Sequence, residues 1–471
     1  HIVIFQRHKS KKGEKMDYYD VFPRIVPADK VSEVRIRPRY KHALFPEAEL
    51  MQVVCNPFDG LNPDGKYGPD ADAEKRVEWR MDGDTLVIRV FFTGEQEHNI
   101  RVMIRNGQTG NVELVKGFRI YSLESDLYEL RPYRGDFHIH TTGSDGRETP
   151  CYVAARYRQK GFDFAAISDH GNYKPSVEAI DYWKALDLDF RLYPGEEVHS
   201  QDNPVHIIHF GGKYSINDRW RDNTEQYFRE VAAIQDALPD KDPRVNNFAV
   251  AASEWVFDEI RRAGGLCVFC HPYWSVAQNV IDEGITSEIF RRNKFDAFEV
   301  LGGFYKYQFE SNNFQVVRYY EEQAKGNRFP VVGLSDSHGV DRFEFGAGRP
   351  VVQRVVGMKY ADSRDCDLFG WYYTVVLAKS NTVEDLIDGI RNFRSCAVSC
   401  IEGETPRVYG PFRMVRYVNF LLREYFPMHD TLCATEGALM LDHLAGDAKA
   451  AGALKQLKGR TADYMEASFG K

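Results

Sequence analysis

At 471 residues the chain is too long for one ordinary domain; a barrel-sized domain with one or two smaller ones is expected. With 43% hydrophobic and 28% charged residues it can bury a sizeable core, which excludes a disordered polypeptide. A formal net charge of -8 excludes a general basic field for nucleic acid, and no apolar run approaches the roughly 20 residues of a membrane span. The opening run from His1 is far too short for a signal peptide. Cysteines 55, 151, 267, 270, 366, 396, 400 and 433 are scattered rather than packed into a small domain, so reduced thiols and a cytoplasmic location are expected.

Residues 1–130 read as strands and turns. Val31–Arg37 and Asn99–Arg105 alternate apolar and polar, Thr85–Phe92 follows the turn Asp82-Gly83-Asp84, and Asn106-Gly107 is a second turn signal. A small β-sandwich is expected. Within it Gly60–Tyr67 nearly spells a phosphate-binding loop but places Tyr67 where Ser or Thr is needed, so it reads as a surface turn.

From 131 to 404 the texture changes to strands alternating with helices, the mark of a parallel α/β barrel or sheet. In Gly135-Asp-Phe-His138-Ile-His140 the two histidines share one face of a strand. The strand breaks at Gly143 in a loop carrying Asp145, and Pro150 opens a helix over Cys151–Lys160. Phe164–Ile167 ends in Ser168-Asp169-His170, and Arg191–Tyr193 runs into Glu196-Glu197-Val198-His199. Val205 is followed by His206 and His209, and an inserted helical excursion occupies about 215–262, with a helix from Ser253 to Arg262. Leu266–Cys270 ends in His271-Pro272, Phe295–Val300 is apolar, and Val331–Leu334 ends in Ser335-Asp336-Ser337-His338. Asn381 and Thr382 lead a helix over Val383–Asn392. A wholly helical tail is expected over 405–471. Its first helix carries the stripe Met414, Val415, Val418, Leu421, Leu422 and Tyr425 and ends at Pro427; further helices follow around Leu432–Leu444 and Ala448–Phe469. That stripe must bury against its own chain or against a second copy, the latter giving a homo-oligomer.

Five consecutive strands ending in His, Asp or Glu would bring those side chains to one mouth of a parallel barrel. Converging imidazoles and carboxylates repel or go unsatisfied without a cation. Nitrogen and oxygen donors with no thiolate suit Zn²⁺, Mn²⁺ or Fe²⁺. Glu196 and Glu197 face opposite ways on a strand, as do His206 and His209. Cys267-x-x-Cys270 lies in an apolar strand and reads as buried thiols.

The series H-x-H-T-x-x-S-D-G, S-D-H, G-x-E-V, H-P and S-D-x-H resembles, in order, the PHP (polymerase and histidinol phosphatase) superfamily, from about Gly135 to Cys400. The resemblance implies a distorted (β/α)7 barrel holding two to three divalent ions and hydrolysing mainly phosphoesters. It implies His138, His140 and Asp336 on the first metal, Glu197 bridging to a second held by His206 and His271, and Asp145, His170 and His338 on a third. It has no ligand at His199. Clustered cations lower the pKa of a shared water so that hydroxide can attack phosphorus. Asp169, Glu197 and His271 are the expected catalytic residues, with Asp169 relaying a proton or orienting a ligand. Arg147, Lys174, Lys213 and Arg342 are candidates to grip an anionic small-molecule substrate, and Tyr273 and Trp274 to wall its leaving group. Hydrolysis of an uncharged ester, amide or carbamate and a non-catalytic metal-binding module are the alternatives.

Overall fold

The computed structural model describes residues 18–59, 75–105, 112–275, 279–302, 309–339, 369–401 and 404–471. The phosphate-loop look-alike and Arg342 lie outside them. The chain divides into two compact units: His1–Tyr128 with Phe420–Pro427 and Asp463–Lys471, and Glu129–Asn419 with Met428–Ala462.

The first unit is β-rich. Its strands are β1 (Tyr19–Phe22), β2 (Ile25–Pro27), β3 (Lys30–Pro38), β4 (Met51–Pro57), β5 (Lys75–Arg76), β6 (Glu78–Asp82), β7 (Thr85–Phe92), β8 (Gln96–Arg105) and β9 (Val112–Leu123). They form two sheets, ordered β1-β3-β7-β6 and β2-β9-β8-β4-β5. Alternation decides which side faces in: Val34 and Ile36 are buried while Arg35 and Arg37 are exposed. Val34, Ile36, Leu86 and Ile88 of one sheet share a core with Val53, Ile100, Val102 and Ile120 of the other.

The second unit is mixed α/β. Its strands are β10 (Arg131–Asp136), β11 (Phe164–Ala165), β12 (Arg191–Leu192), β13 (Gly195–Val198), β14 (Ile207–Phe210), β15 (Leu266–Phe269), β16 (Ala297–Leu301), β17 (Val331–Gly333), β18 (Tyr372–Ala378), β19 (Ser395–Ser399) and β20 (Arg407–Tyr409). One sheet runs β12-β11-β10-β18-β19-β20, the other β13-β14-β15-β16-β17. The expected all-parallel order is broken, because β14 lies antiparallel to β13 and β15, and β18 antiparallel to β10 and β19. No closed barrel is seen among the described residues. The chain beyond β10 meets that beyond β17 at one isolated bridge, Ile139–Ser337, and the chain beyond β11 meets β13 at another, His170–Glu197. An apolar cluster of Phe137, Phe164, Ile208, Phe210, Val268 and Val332 joins strands of both sheets.

Helices start where the sequence offers caps. Pro150 opens Pro150–Gln159, and the side chain of Thr382 accepts from Asp385 N at the head of Val383–Arg391. The helix expected from Ser253 begins at Asn247 because the Asn246 side chain caps Ala249 N. With Ile216–Arg221 and Thr224–Ala237 it forms the helical segment between β14 and β15.

The tail is not wholly helical, since β20 pairs with β19 ahead of Phe412–Glu424. Pro427 falls in the first turn of the next helix, Phe426–Leu444, where its missing N–H costs nothing, so it opens that helix several residues before the expected start. Of this stripe, Met414, Val418, Leu421 and Tyr425 are buried in the single chain, whereas Val415 and Leu422 are half-buried. Within the second unit, Arg158 Nε donates to Glu436 Oε2 at 2.7 Å and His429 Nε2 lies 2.8 Å from Asp163 Oδ1, all buried. No helix among the described residues is long and apolar enough to cross a membrane.

Candidate metal centre

Beyond β10 the chain stays extended, so Phe137 and Ile139 face the core while His138 and His140 share the other side. Asp136 anchors this segment from beneath, accepting from His138 N (3.2 Å), Ser335 N (3.3 Å) and the Tyr157 hydroxyl (2.9 Å). Burial pushes its pKa up to about 7. Asp169 organises the next loop: it accepts from Thr141 N (2.8 Å), Thr141 Oγ1 (2.6 Å) and Ser144 Oγ (2.6 Å). Its carboxylate thereby ties Thr141 and Ser144 of the loop that carries Asp145. His271 (φ 25°) and Asp336 (φ 49°) both hold left-handed backbone, an unfavourable conformation that concentrates at functional sites.

The paired glutamates separate as strand alternation requires. Glu196 turns away and takes His209 Nδ1 (3.2 Å), Ser215 Oγ (2.8 Å), Ile216 N (2.5 Å) and Asn217 Nδ2 (2.8 Å). Glu197 faces the histidines. Because β14 runs backwards, with Val198 opposite Ile207, His206 enters at the start of its strand beside His199; their ring centroids are 4.0 Å apart.

Six imidazoles surround the fully buried Glu197. Its Oε2 lies 2.6 Å from His170 Nδ1, 3.5 Å from His140 Nε2 and 3.6 Å from His138 Nε2. Its Oε1 lies 2.9 Å from His206 Nδ1, 3.3 Å from His271 Nε2 and 3.6 Å from His199 Nε2. Asp336 Oδ1 is 2.9 Å from His140 Nε2 and 3.2 Å from His138 Nε2. Asp145 Oδ1 is 3.2 Å from His338 Nε2 and 3.5 Å from His170 Nε2. His140, Asp145, His170 and His338 each offer an atom within 4.8 Å of the others, as do His138, His140 and Asp336.

The electrostatics fit cations. His138 Nε2, His140 Nε2, His206 Nδ1, both oxygens of Glu197 and Asp336 Oδ1 are buried without a hydrogen-bond partner, a density of orphaned atoms that native cores avoid. Burial, reinforced by His338 and His170, pulls His140 down to about 3. Burial also pulls His206 down to about 4. Burial thus favours the neutral, metal-ligating form of these two rings, whereas, against burial, the carboxylates around them raise His138, His170, His271 and His338, which must give up protons when a cation binds. Against the upward push of burial, His170, His206, His138 and His199 hold Glu197 well below the usual carboxylate range.

Other predicted residues scatter. The Trp274 ring lies 5.9 Å from that of His271 and 6.2 Å from that of His206, whereas the Tyr273 ring meets Phe314 instead. Arg147 is exposed beside His338, whose carbonyl its backbone N–H reaches at 3.1 Å. Lys174 is exposed at the start of the helix Lys174–Trp183. Lys213 follows the end of β14 away from His206, and its backbone N–H bonds to Ala263 O. Cys267 Sγ donates to Asp296 Oδ2 (3.2 Å) and Cys270 Sγ to His206 O (3.1 Å), so the two thiols diverge. Glu299 escaped the sequence reading. It is fully buried in β16, with Oε2 2.8 Å from His138 Nδ1. The available signal was a carboxylate inside an otherwise apolar strand.

No family model matches the chain. Over 90 residues it is 32% identical to the DNA polymerase/3'-5' exonuclease PolX of Bacillus subtilis, covering 17% of this chain and 16% of that one. The chain thus spans less than a fifth of that relative. Among solved structures it is similar to a two-domain protein of Bacteroides vulgatus containing a predicted PHP-like metal-dependent phosphoesterase, with 15% identity, 57% of this chain, 66% of that one and a TM-score of 0.36. It is also similar to an amidohydrolase of Chromobacterium violaceum, with 15% identity, 42% of this chain, 84% of that one and a TM-score of 0.27. In the order of its motifs, from His138-x-His140 to Asp336-x-His338, the chain resembles the PHP superfamily of metal-dependent hydrolases.

Proposed function

We propose that the second unit is a metal-dependent phosphoesterase acting on a small anionic substrate. The observation that carries this reading is the set of buried, partnerless nitrogen and oxygen atoms around Glu197 and Asp336. His138, His140, Glu197 and Asp336 would hold a first ion, Glu197, His206 and His271 a second, and Asp145, His170 and His338 a third. Divalent Mn, Zn or Fe bound there would activate water and neutralise charge gathering on the non-bridging oxygens of a phosphoryl group. The protein's own part is to fix the ligands. Glu197 is held by the ladder between β13 and β14, and Asp169 pins the loop that carries Asp145. Trp274 gives the leaving group an apolar wall beside His206 and His271. Arg147, exposed next to His338, is the cation best placed to meet the substrate's charge. A site that gathers several cations favours a substrate with its own negative charge, hence a phosphoester over a neutral ester, amide or carbamate.

The test assays phosphomonoesters, phosphodiesters, carboxylic esters and amides with added Mn²⁺, Zn²⁺ or Fe²⁺. The expected result is metal-dependent turnover of a phosphoester, with two to three ions per chain by elemental analysis. Fewer than one ion per chain overturns the metal reading. Turnover confined to neutral esters or amides overturns the phosphoester reading alone. His140→Ala and Asp336→Ala should each lose more than about tenfold in rate, a transition-state loss above about 1.4 kcal/mol.

A further inference from the structure

We infer that Glu299, which lies outside every motif, is a positioning residue that sets which nitrogen of His138 is offered to the metal, an inference that rests on the proposed metal site. His138 Nε2 points at Asp336 Oδ1 (3.2 Å) and Glu197 Oε2 (3.6 Å), the carboxylates of the first ion's ligand set. To give that ion a lone pair from Nε2, the neutral ring must carry its proton on Nδ1. Glu299 Oε2, 2.8 Å from Nδ1, accepts that proton's hydrogen bond. Both side chains are fully buried, so no water competes for the proton and the ring cannot turn without breaking the bond. Glu299 is also placed rigidly. It sits inside β16, which is paired with β15 and β17 on its two sides. Its second oxygen, Oε1, lies over Gly302, where a Cβ would collide with it. That oxygen is buried without a hydrogen-bond partner, so a carboxylate is retained here at a cost that a packing role alone would not require. A charged acceptor on Nδ1 orients the ring and raises the basicity of Nε2 toward the cation.

The test strips the full-length protein with chelator and measures Zn²⁺ affinity by chelator competition for wild type, Glu299→Gln, Glu299→Leu and Glu196→Gln. Glu299→Leu removes the acceptor and should weaken the tightest site by about 10–100-fold. Glu299→Gln still accepts through its amide oxygen but lacks the charge, so its affinity should fall between those of wild type and Glu299→Leu. Glu196→Gln, an equally buried carboxylate facing the other way, should change melting temperature and leave Zn²⁺ affinity within about twofold of wild type. If Glu299→Leu does not fold, Glu299→Gln decides by the same measurement. Glu299 variants binding Zn²⁺ as tightly as wild type would overturn this inference alone. Wild-type protein that takes up less than one ion overturns the proposed function, and this inference with it.

Discussion

Neighbouring side chains in this protein have opposite fates, and Glu196 and Glu197 show it most sharply. Glu197→Gln takes the negative charge out of a ring of six imidazoles and should cost more than about tenfold in rate. Glu196→Gln should barely touch rate but destabilise the fold by about 1–3 kcal/mol, because an amide N–H₂ would face a pocket built of four donors. Paired rate and denaturant measurements check this, and the reverse pattern would mean that the faces of β13 are misassigned. Most candidate ligands were legible because their spacing is local: His138 with His140 and Asp336 with His338 sit two apart, so each pair can be read without knowing the fold. Glu299 was not legible. Its role exists only because β16 brings it against a histidine far away in sequence, and no spacing rule encodes that approach.

At the level of elements, the apolar runs disclosed where strands lie but not which way they point. Val205 to Phe210 reads the same in either direction, and its antiparallel course leaves Lys213 beyond the strand end away from His206. The tail helices were legible as amphipathic stripes, but the charges that seat Phe426–Leu444 were not, since Arg158 and Asp163 come from elsewhere in the chain. The His429–Asp163 pair makes that seating dependent on pH. Burial opposes the charged imidazole, but Asp163 prevails and raises His429 well above its usual 6.5. A raised histidine contributes its stability in full below the unfolded pKa, and the contribution is lost as pH rises toward the folded value. His429→Gln should therefore cost about 3–5 kcal/mol near pH 6 and progressively less toward pH 9, read from denaturant midpoints. A cost that does not vary over that range would mean the imidazole is not charged in the folded protein.

On the scale of the whole chain, the tail is shared out: Phe420–Pro427 and Asp463–Lys471 belong to the first unit and Met428–Ala462 to the second. Deleting residues 411–471 should leave neither unit intact and strand Arg158 without Glu436, giving insoluble protein in a solubility and light-scattering comparison. A soluble, active truncation would show the tail to be an accessory. The isolated bridges Ile139–Ser337 and His170–Glu197 of the second unit have a different consequence. His138 and His140 lie on one side of the Ile139–Ser337 contact, and Asp336 and His338 on the other, while His170 and Glu197 form the second contact themselves. Ions shared by these residues would act as further stitches along two seams that a few backbone hydrogen bonds hold. Breathing of one sheet against the other would pull ligands of a single ion apart, so metal should suppress it. The amides of His140 and Gly171, which donate to Ser337 O and Glu197 O, are the reporters. Their hydrogen exchange should slow about tenfold for every 1.4 kcal/mol of binding energy spent holding the seams shut, and chelator should release them while amides inside β18 stay protected. Equal exchange with and without metal would mean the sheets hold together unaided.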